Sequence, residues 1–261
     1  MPVRVTPTDS KPGEYSTASG RRSRHERRRI HSILLNSSPV VKMATVESKF
    51  EVTAEKGTVS SILMRPPAAK QLIVIGHGAG ANMRHANLER IATELYQAGI
   101  ASFRYQFPYM ERGGKGRDSQ STSLATVRQA VLKAKEMEPK LRLFAGGHSF
   151  GGRMTSMAES ESPLPVDGLV FFSFPLHPAG KPALDRAEHL YGIDKRMLFL
   201  TGSRDKLADP DLRDQVISKL GKRATLHLLD TADHGYKILK RSRESDEDVF
   251  VEMIRVVCDW L

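Results

Sequence analysis

The sequence contains little of what disulfides, membrane spans and metal centres require. Its 261 residues include one cysteine, Cys258, so an internal disulfide is excluded, as is typical of a reducing compartment. Its longest apolar runs, such as residues 169–172, are far shorter than the ~20 residues that cross a bilayer. Cysteine and histidine are nowhere clustered at metal-ligand spacing. We therefore expect a cytoplasmic protein with no membrane association, no metal and no cofactor.

The positive charge is concentrated at one end of the chain. Residues 1–42 carry nine Lys or Arg against three Asp or Glu, which supplies +6 of the formal net charge of +10. This segment has little apolar surface to bury, so we expect a disordered basic leader. Its arginine cluster at residues 21–29 indicates at most weak nucleic-acid binding, and the alternative is a solvated tail. A transit peptide, or a true start at Met43, are further alternatives.

From residue 43 onward the pattern is that of one folded domain, which we place at residues 43–261. Two short runs, at residues 50–54 and 59–64, predict an antiparallel hairpin. After residue 71, apolar strands alternate with helices of 3.6-residue periodicity. Such alternation requires a mostly parallel central sheet with helices on both faces and a site at the carboxyl ends of the strands. The predicted fold class is therefore α/β.

Capping residues predict where two of the later helices begin. Asp209, followed by Pro210, is typical of an N-cap with proline at the first helical position, and that helix is expected to end at Gly221. The closing helix is predicted to begin near Ser245, with Asp248 completing a capping box.

A strand, a sharp turn and a helix are predicted between Leu141 and Met157. Residues 147–151 read Gly-His-Ser-Phe-Gly, a pattern in which the serine sits on a strained turn and the glycines let strand and helix approach closely. The turn would present the Ser149 hydroxyl above the sheet edge. The N–H of Phe150, at the helix start, would stabilise developing negative charge. The plain alternative is a glycine-rich turn that only lets a helix cross a strand.

Two other strand ends supply an acid and an imidazole. Asp205 follows one buried strand and His234 follows the last, so the order Ser149, Asp205, His234 is that of the α/β-hydrolase arrangement. A serine needs an imidazole to take its proton, and the imidazole needs a carboxylate to fix its tautomer. We predict that these three residues form a catalytic triad. Asp209 is the alternative acid, although capping already explains it, and Asp233 would point away from His234.

The loop after the strand at residues 71–75 reads His-Gly-Ala-Gly and is similar to the His-Gly loop of esterases. We expect the N–H of Ala79 to join that of Phe150 in an oxyanion hole. His77 and Gly78 are expected to order this loop rather than to transfer protons.

Residues 50–261 resemble the small α/β-hydrolases of the dienelactone-hydrolase-like group, specifically the bacterial branch akin to testis-expressed and chromatin-complex hydrolase-like proteins. The resemblance is carried by residues 76–81, 104–109, 146–154 and 174–178. It implies an α/β-hydrolase fold. Two positions depart from the relatives. Dienelactone hydrolases proper have a cysteine at the position of Ser149, so their lactone substrate is not implied, and the residue before the serine is often lysine in this branch but is His148 here.

The span between the strands predicted to end at Phe174 and to start at Arg196 leaves room for a minimal lid, so we expect an open cleft. Basic residues on segments near the cleft mouth suggest a substrate that bears a carboxylate, although we favour a solvated rim of charges. These residues are Arg104, Arg112, Lys115, Arg117, Arg153 and Lys181.

The predicted function is that of a serine hydrolase, resembling a carboxylesterase, which cleaves a small ester or related acyl bond through an acyl-enzyme intermediate. A small ester-like molecule is the expected partner, and the oligomeric state is left open. Because some eukaryotic relatives act as complex subunits, the alternative is a catalytically idle binding or scaffold protein on the same fold.

Overall fold

An eight-stranded sheet forms the centre of the folded region and follows the predicted alternation of strands and helices. The computed structural model describes residues 43–114 and 116–261, so the predictions for the leader at residues 1–42 and for Lys115 lie outside the described residues. The strands are β1 (Thr45–Thr53), β2 (Gly57–Met64), β3 (Gln71–Gly76), β4 (Ala101–Tyr105), β5 (Arg142–His148), β6 (Leu169–Phe172), β7 (Met197–Gly202) and β8 (Ala224–Leu229).

The strand order across the sheet is β1-β2-β4-β3-β5-β6-β7-β8. β2 runs antiparallel to its neighbours β1 and β4, and every pairing from β4 to β8 is parallel. The predicted hairpin and the mostly parallel sheet are both confirmed. The carboxyl ends of β3, β5, β7 and β8 therefore lie along one edge, where a site is expected.

Helices cover both faces of this sheet. They are α1 (Ala86–Gln97), α2 (Pro108–Glu111), α3 (Gln120–Met137), α4 (Phe150–Glu161), α5 (Pro210–Leu220) and α6 (Val249–Trp260). One core contains α1 and α6, and the other contains α3, α4 and α5. Within the part of the chain that the structure describes, none of these helices has the length and apolar character needed to cross a bilayer.

Strand β3 shows why its sequence is a continuous apolar run. Leu72 and Val74 pack in the core beneath α3 and α4, whereas Ile73 and Ile75 pack in the core beneath α1 and α6. Because successive side chains alternate between two covered faces, a polar side chain at any of residues 72–75 would be buried.

The start of α6 corrects one prediction. The helix begins at Val249, and its N-cap is Asp248, whose Oδ1 accepts the N–H groups of Phe250 and Val251 at 2.9 and 3.3 Å. Ser245 is not the helix start, because a capping side chain reaches only the N–H groups two or three residues ahead. The predicted helix after Asp209 is confirmed at Pro210–Leu220.

The connection between β6 and β7 contains one short 3₁₀ helix, Glu188–Gly192. It contains no α-helix. The predicted minimal lid is therefore confirmed.

Candidate active site

The turn after β5 holds Ser149 in an unusual backbone conformation. Its φ of 51° and ψ of −112° lie in a region that residues with a side chain rarely adopt. The turn is fixed by close backbone packing, since a Cβ atom on Gly151 would overlap the carbonyl of Gly76. The N–H of Ser149 donates to the carbonyl of Phe172 on β6 at 2.9 Å. The serine is thus fixed at the N-terminus of α4, above the sheet edge.

Ser149, His234 and Asp205 form one hydrogen-bonded chain. The Nδ1 atom of His234 lies 2.8 Å from Oδ2 of Asp205, and its Nε2 atom lies 2.8 Å from Oγ of Ser149. Because a carboxylate accepts, Nδ1 carries the proton and Nε2 accepts from the serine hydroxyl. The Asp205 side chain is fully buried, and the His234 side chain is 24% exposed. The structure therefore brings the three predicted residues together in a geometry that can remove the serine proton.

Asp205 is held on both sides by the turn that follows β7. Its N–H donates to the Gly202 carbonyl at 3.0 Å, and its Oδ1 atom accepts the N–H of Leu207 at 2.8 Å. Its other oxygen, Oδ2, is the one that contacts His234. The carboxylate is therefore oriented by the backbone before it orients the imidazole.

The two other aspartates that sequence analysis considered are engaged elsewhere. Oδ1 of Asp209 accepts N–H groups in the first turn of α5 at 3.1 and 3.2 Å. Oδ1 of Asp233 accepts the N–H groups of Gly235 and Lys237 at 2.9 and 3.0 Å. Each therefore closes a local turn, and the ring of His234 faces Asp205 instead.

His77 is buried in the loop after β3 and bonds to the backbone at both ring nitrogens. Its Nδ1 atom donates to the Gly78 carbonyl at 2.9 Å, and its Nε2 atom accepts the N–H of Phe107 at 3.1 Å. Burial lowers the pKa of His77 to about 4, so the ring is neutral at pH 7. These bonds tie the loop to the end of β4 and leave no ring nitrogen for a substrate.

The same loop lies directly against the nucleophile turn. A Cβ atom on Gly78 would lie 2.9 Å from Nδ1 of His148 and 3.7 Å from the Ser149 Cβ. Ala79, the next residue, is exposed, and within residues 43–114 and 116–261 its N–H has no acceptor. The N–H of Phe150, at the first position of α4, likewise donates to no described group. Both N–H groups thus have no protein acceptor among the described residues, as an oxyanion donor requires, and their role stays a prediction.

His148 also helps to position the site. Sequence analysis identified it only as a departure from relatives. Its Nε2 atom donates to the backbone carbonyl of His234 at 3.1 Å, and the two rings lie 5.4 Å apart. Burial, followed by the charge that His234 can carry, lowers the pKa of His148 to about 4. A neutral His148 therefore positions the loop that carries His234. Its place directly before Ser149 was the only available sequence signal.

The basic residues predicted at the cleft mouth do not share one location. Arg104 was wrongly placed there, because it is only 3% exposed and donates to the Met83 carbonyl at 3.0 Å. Arg112 pairs with Asp118 at 2.8 Å. Lys181 is exposed.

In the described ranges, no three His, Cys, Asp or Glu side chains are grouped so as to hold a metal ion.

A known protein family matches most of the chain. Residues 69–261 match the family described as alpha/beta hydrolase domain, and the chain belongs to that family. Similar solved structures include a dienelactone hydrolase from Anabaena variabilis, with 16% identity over 83% of this chain and 96% of that chain and a TM-score of 0.64.

Two other similar structures are described as serine hydrolases. One is an α/β serine hydrolase without a lid from Xanthomonas campestris, with 18% identity, coverage of 83% and 95%, and a TM-score of 0.65. The other is an alpha-beta serine hydrolase homologue from Coxiella burnetii, with 14% identity, coverage of 82% and 97%, and a TM-score of 0.64. At these identities the likeness shows the shared fold.

Proposed function

We propose that this protein is a serine hydrolase that cleaves a small ester or related acyl bond. The observation that carries the proposal is the continuous hydrogen-bonded chain from Ser149 through His234 to Asp205, with both contacts at 2.8 Å. Membership of the alpha/beta hydrolase domain family supports the same chemistry. A carboxylesterase-like activity is favoured because the site is open and its nucleophile is an alcohol.

The proposed reaction begins when Oγ of Ser149 attacks the ester carbonyl and Nε2 of His234 takes the serine proton. Negative charge then develops on the carbonyl oxygen, where the N–H groups of Ala79 and Phe150 are available to donate. Asp205 accepts the Nδ1–H of His234 and stabilises the imidazolium. As the tetrahedral intermediate collapses, His234 gives the proton to the leaving alkoxide, and the alcohol departs.

The acyl-enzyme is released by the same groups acting on water. His234 removes a proton from a water molecule, whose oxygen attacks the acyl carbonyl of the Ser149 ester. Collapse of the second intermediate returns the proton to Oγ of Ser149 and frees the carboxylic acid. Each residue ends in the state in which it began.

We further propose that the catalytic domain comprises residues 43–261 and belongs to the bacterial branch akin to testis-expressed and chromatin-complex hydrolase-like proteins. The segments at residues 76–81 and 146–154 support this assignment, and His148 departs from the branch pattern. The single cysteine supports a cytoplasmic, reducing location.

The test is hydrolysis of 4-nitrophenyl acetate and butyrate by the wild type and by Ser149→Ala. We expect the variant to lose at least ~10⁴-fold in kcat, because the nucleophile is removed, while its thermal midpoint stays within about 2 °C. Ser218→Ala, on an exposed position of α5, is the matched control and should retain wild-type rates. Turnover retained by Ser149→Ala would refute the proposal. A folded wild type with no turnover of any ester would instead support the idle binding protein.

A further inference from the structure

A basic cavity of about 380 Å³ lies beside the nucleophile turn. Its walls come from the loop before α3, the start of α3 and the first turns of α4, and include Arg117, Phe150 and Arg153. Phe150 is also the residue whose N–H is a proposed oxyanion donor. The cavity therefore adjoins the proposed catalytic site.

Two guanidinium groups, those of Arg117 and Arg153, line this cavity, and that of Arg186 lies close enough to interact with both. Arg153 is one helical turn beyond Ser149, and its N–H donates to the Ser149 carbonyl at 3.1 Å. Arg117 lies over the ring of Phe150, 5.6 Å from its centroid. Burial, followed by the positive charges of Arg186 and Arg117, lowers the pKa of Arg153. Burial and the charge of Arg117 likewise lower the pKa of Arg186, which places all three in one electrostatic group.

No carboxylate within residues 43–114 and 116–261 forms an ion pair with Arg117, Arg153 or Arg186. Asp118, which also lines the cavity, is already occupied by Arg112 at 2.8 Å and by the N–H of Tyr109 at 2.7 Å. The flanking helices do pair their charges, since Arg128 of α3 meets Glu161 of α4 at 3.1 Å.

A buried polar atom without a partner also favours anion binding in this cavity. The Nε atom of Arg153 is buried and has no hydrogen-bond partner among the described residues. A buried donor without a partner costs free energy, and so do like charges held close together. A bound anion removes both costs, because guanidinium groups bind carboxylate and phosphate oxygens in a bidentate manner.

We propose that the basic cavity binds a carboxylate or phosphate group of the substrate, so that the enzyme prefers esters that carry a negative charge away from the scissile bond. This inference rests on the proposed function, because it names the substrate class of the same site. Arg117, Arg153 and Arg186 are specificity-determining residues in this account. Ser149, His234 and Asp205 carry out the same chemistry on charged and neutral esters.

The test compares kcat/KM for esters that differ only in charge. One series uses the mono-4-nitrophenyl esters of succinate, glutarate and adipate, each against a neutral ester in which an isopropyl group replaces the carboxylate, with the uncatalysed rate subtracted. A second series places the charge on the leaving group, with 4-acetoxybenzoate against its methyl ester. We expect the wild type to prefer the charged member of at least one pair by ~10-fold or more.

Arg153→Met should lower that preference by about 10-fold, because the charged ester loses a charge-assisted hydrogen bond. Arg153→Lys should recover part of it, since the charge remains but the planar fork is lost. Arg117→Met, on the exposed loop, tests the same cavity if Arg153→Met fails to fold. Arg255→Met is the matched control, because Arg255 lies on α6 across the sheet and pairs with Glu247, and it should leave the preference unchanged.

Inhibition by glutarate and by inorganic phosphate distinguishes the two anions. The stronger inhibitor identifies the group that the cavity binds, and its inhibition should weaken in Arg153→Met. Hydrolysis of neutral esters with no preference for either charged series, unchanged by the arginine variants, would overturn this inference and leave the proposed function intact. Failure to hydrolyse any ester, charged or neutral, would overturn the proposed function itself.

Discussion

The nucleophile turn, residues 146–152, and the basic cavity are neighbours built in opposite ways. In the turn, backbone meets backbone so closely that a Cβ on Gly151 or Gly147 has no room. In the cavity, Arg117 is exposed, and a Cβ on the neighbouring Gly116 would meet nothing within 4 Å. The first arrangement allows one geometry, whereas the second leaves the side chain of Arg117 free to adapt.

The difference follows from what each part has to do. Removal of a proton from Ser149 depends on the 2.8 Å contact to His234, and a shift of about 1 Å can cost ~100-fold in rate. Charge recognition tolerates movement, because long flexible side chains can follow an anion. We therefore expect substitutions in the turn to affect folding and kcat, and substitutions in the cavity to affect selectivity.

The largest effect is expected at the acid of the hydrogen-bonded chain. Asp205→Asn should lower kcat by about 10⁴-fold, because the amide no longer fixes the Nδ1–H tautomer of His234. KM for a charged ester should change little, since the cavity is untouched. Steady-state kinetics on one ester measures both constants.

Asp209→Asn is the matched control for that substitution. Asparagine is as good an N-cap as aspartate, so α5 should persist and kcat should stay within about twofold of the wild type. A large loss of kcat in Asp209→Asn, with normal activity in Asp205→Asn, would reassign the acid.

The next largest effect is expected on stability, where one glycine from the turn is compared with one beside the cavity. Gly151→Ala should destabilise the protein by about 3 kcal/mol or more, because the new methyl group overlaps the Gly76 carbonyl. Gly116→Ala should change the free energy of unfolding by less than about 0.5 kcal/mol. Urea unfolding of both variants measures the contrast. Equal stability would show that the turn is not rigid in the way described.

The smallest effect is expected from His77, in the loop beside the turn. Its protonation should make the free energy of unfolding depend on pH. His77 has a pKa of about 4 in the folded protein, against about 6.5 for an unperturbed histidine. The unfolded chain therefore binds the proton first as the pH falls. The contribution of His77 is fully present above pH 6.5 and is lost towards pH 4, by up to about 1.4 kcal/mol per pH unit. His148 shifts in the same direction.

Urea unfolding at pH 7, 6 and 5 checks this dependence. The slope should be shallower in His77→Gln, which has no imidazole to protonate. It should be unchanged in Arg117→Met, because a guanidinium does not titrate in this range. An identical slope in His77→Gln and the wild type would contradict the assignment.

Sequence analysis could anticipate the residues of the hydrogen-bonded chain because their signals are local. Ser149 lies between glycines at a strand end, and Asp205 and His234 each follow an apolar run, so position on the sheet edge follows from the strand pattern. The mostly parallel sheet and its two covered faces follow from the same alternation.

Contacts between distant segments could not be anticipated in this way. The bond from His148 to the carbonyl of His234 joins residues 86 positions apart. Sequence analysis did not identify Arg186, and it expected Arg104 near the cleft mouth, although Arg104 is buried and donates to the Met83 carbonyl. For such residues the sequence shows the charge but not the direction of the side chain, which depends on loop paths between the strands.

The most direct measurement of the central claim is mass spectrometry of the protein after exposure to a fluorophosphonate. We expect one adduct, on Ser149, that is absent from Ser149→Ala and that forms slowly in Asp205→Asn. An unmodified Ser149 in a folded wild-type protein would contradict the claim that Ser149 is an activated nucleophile.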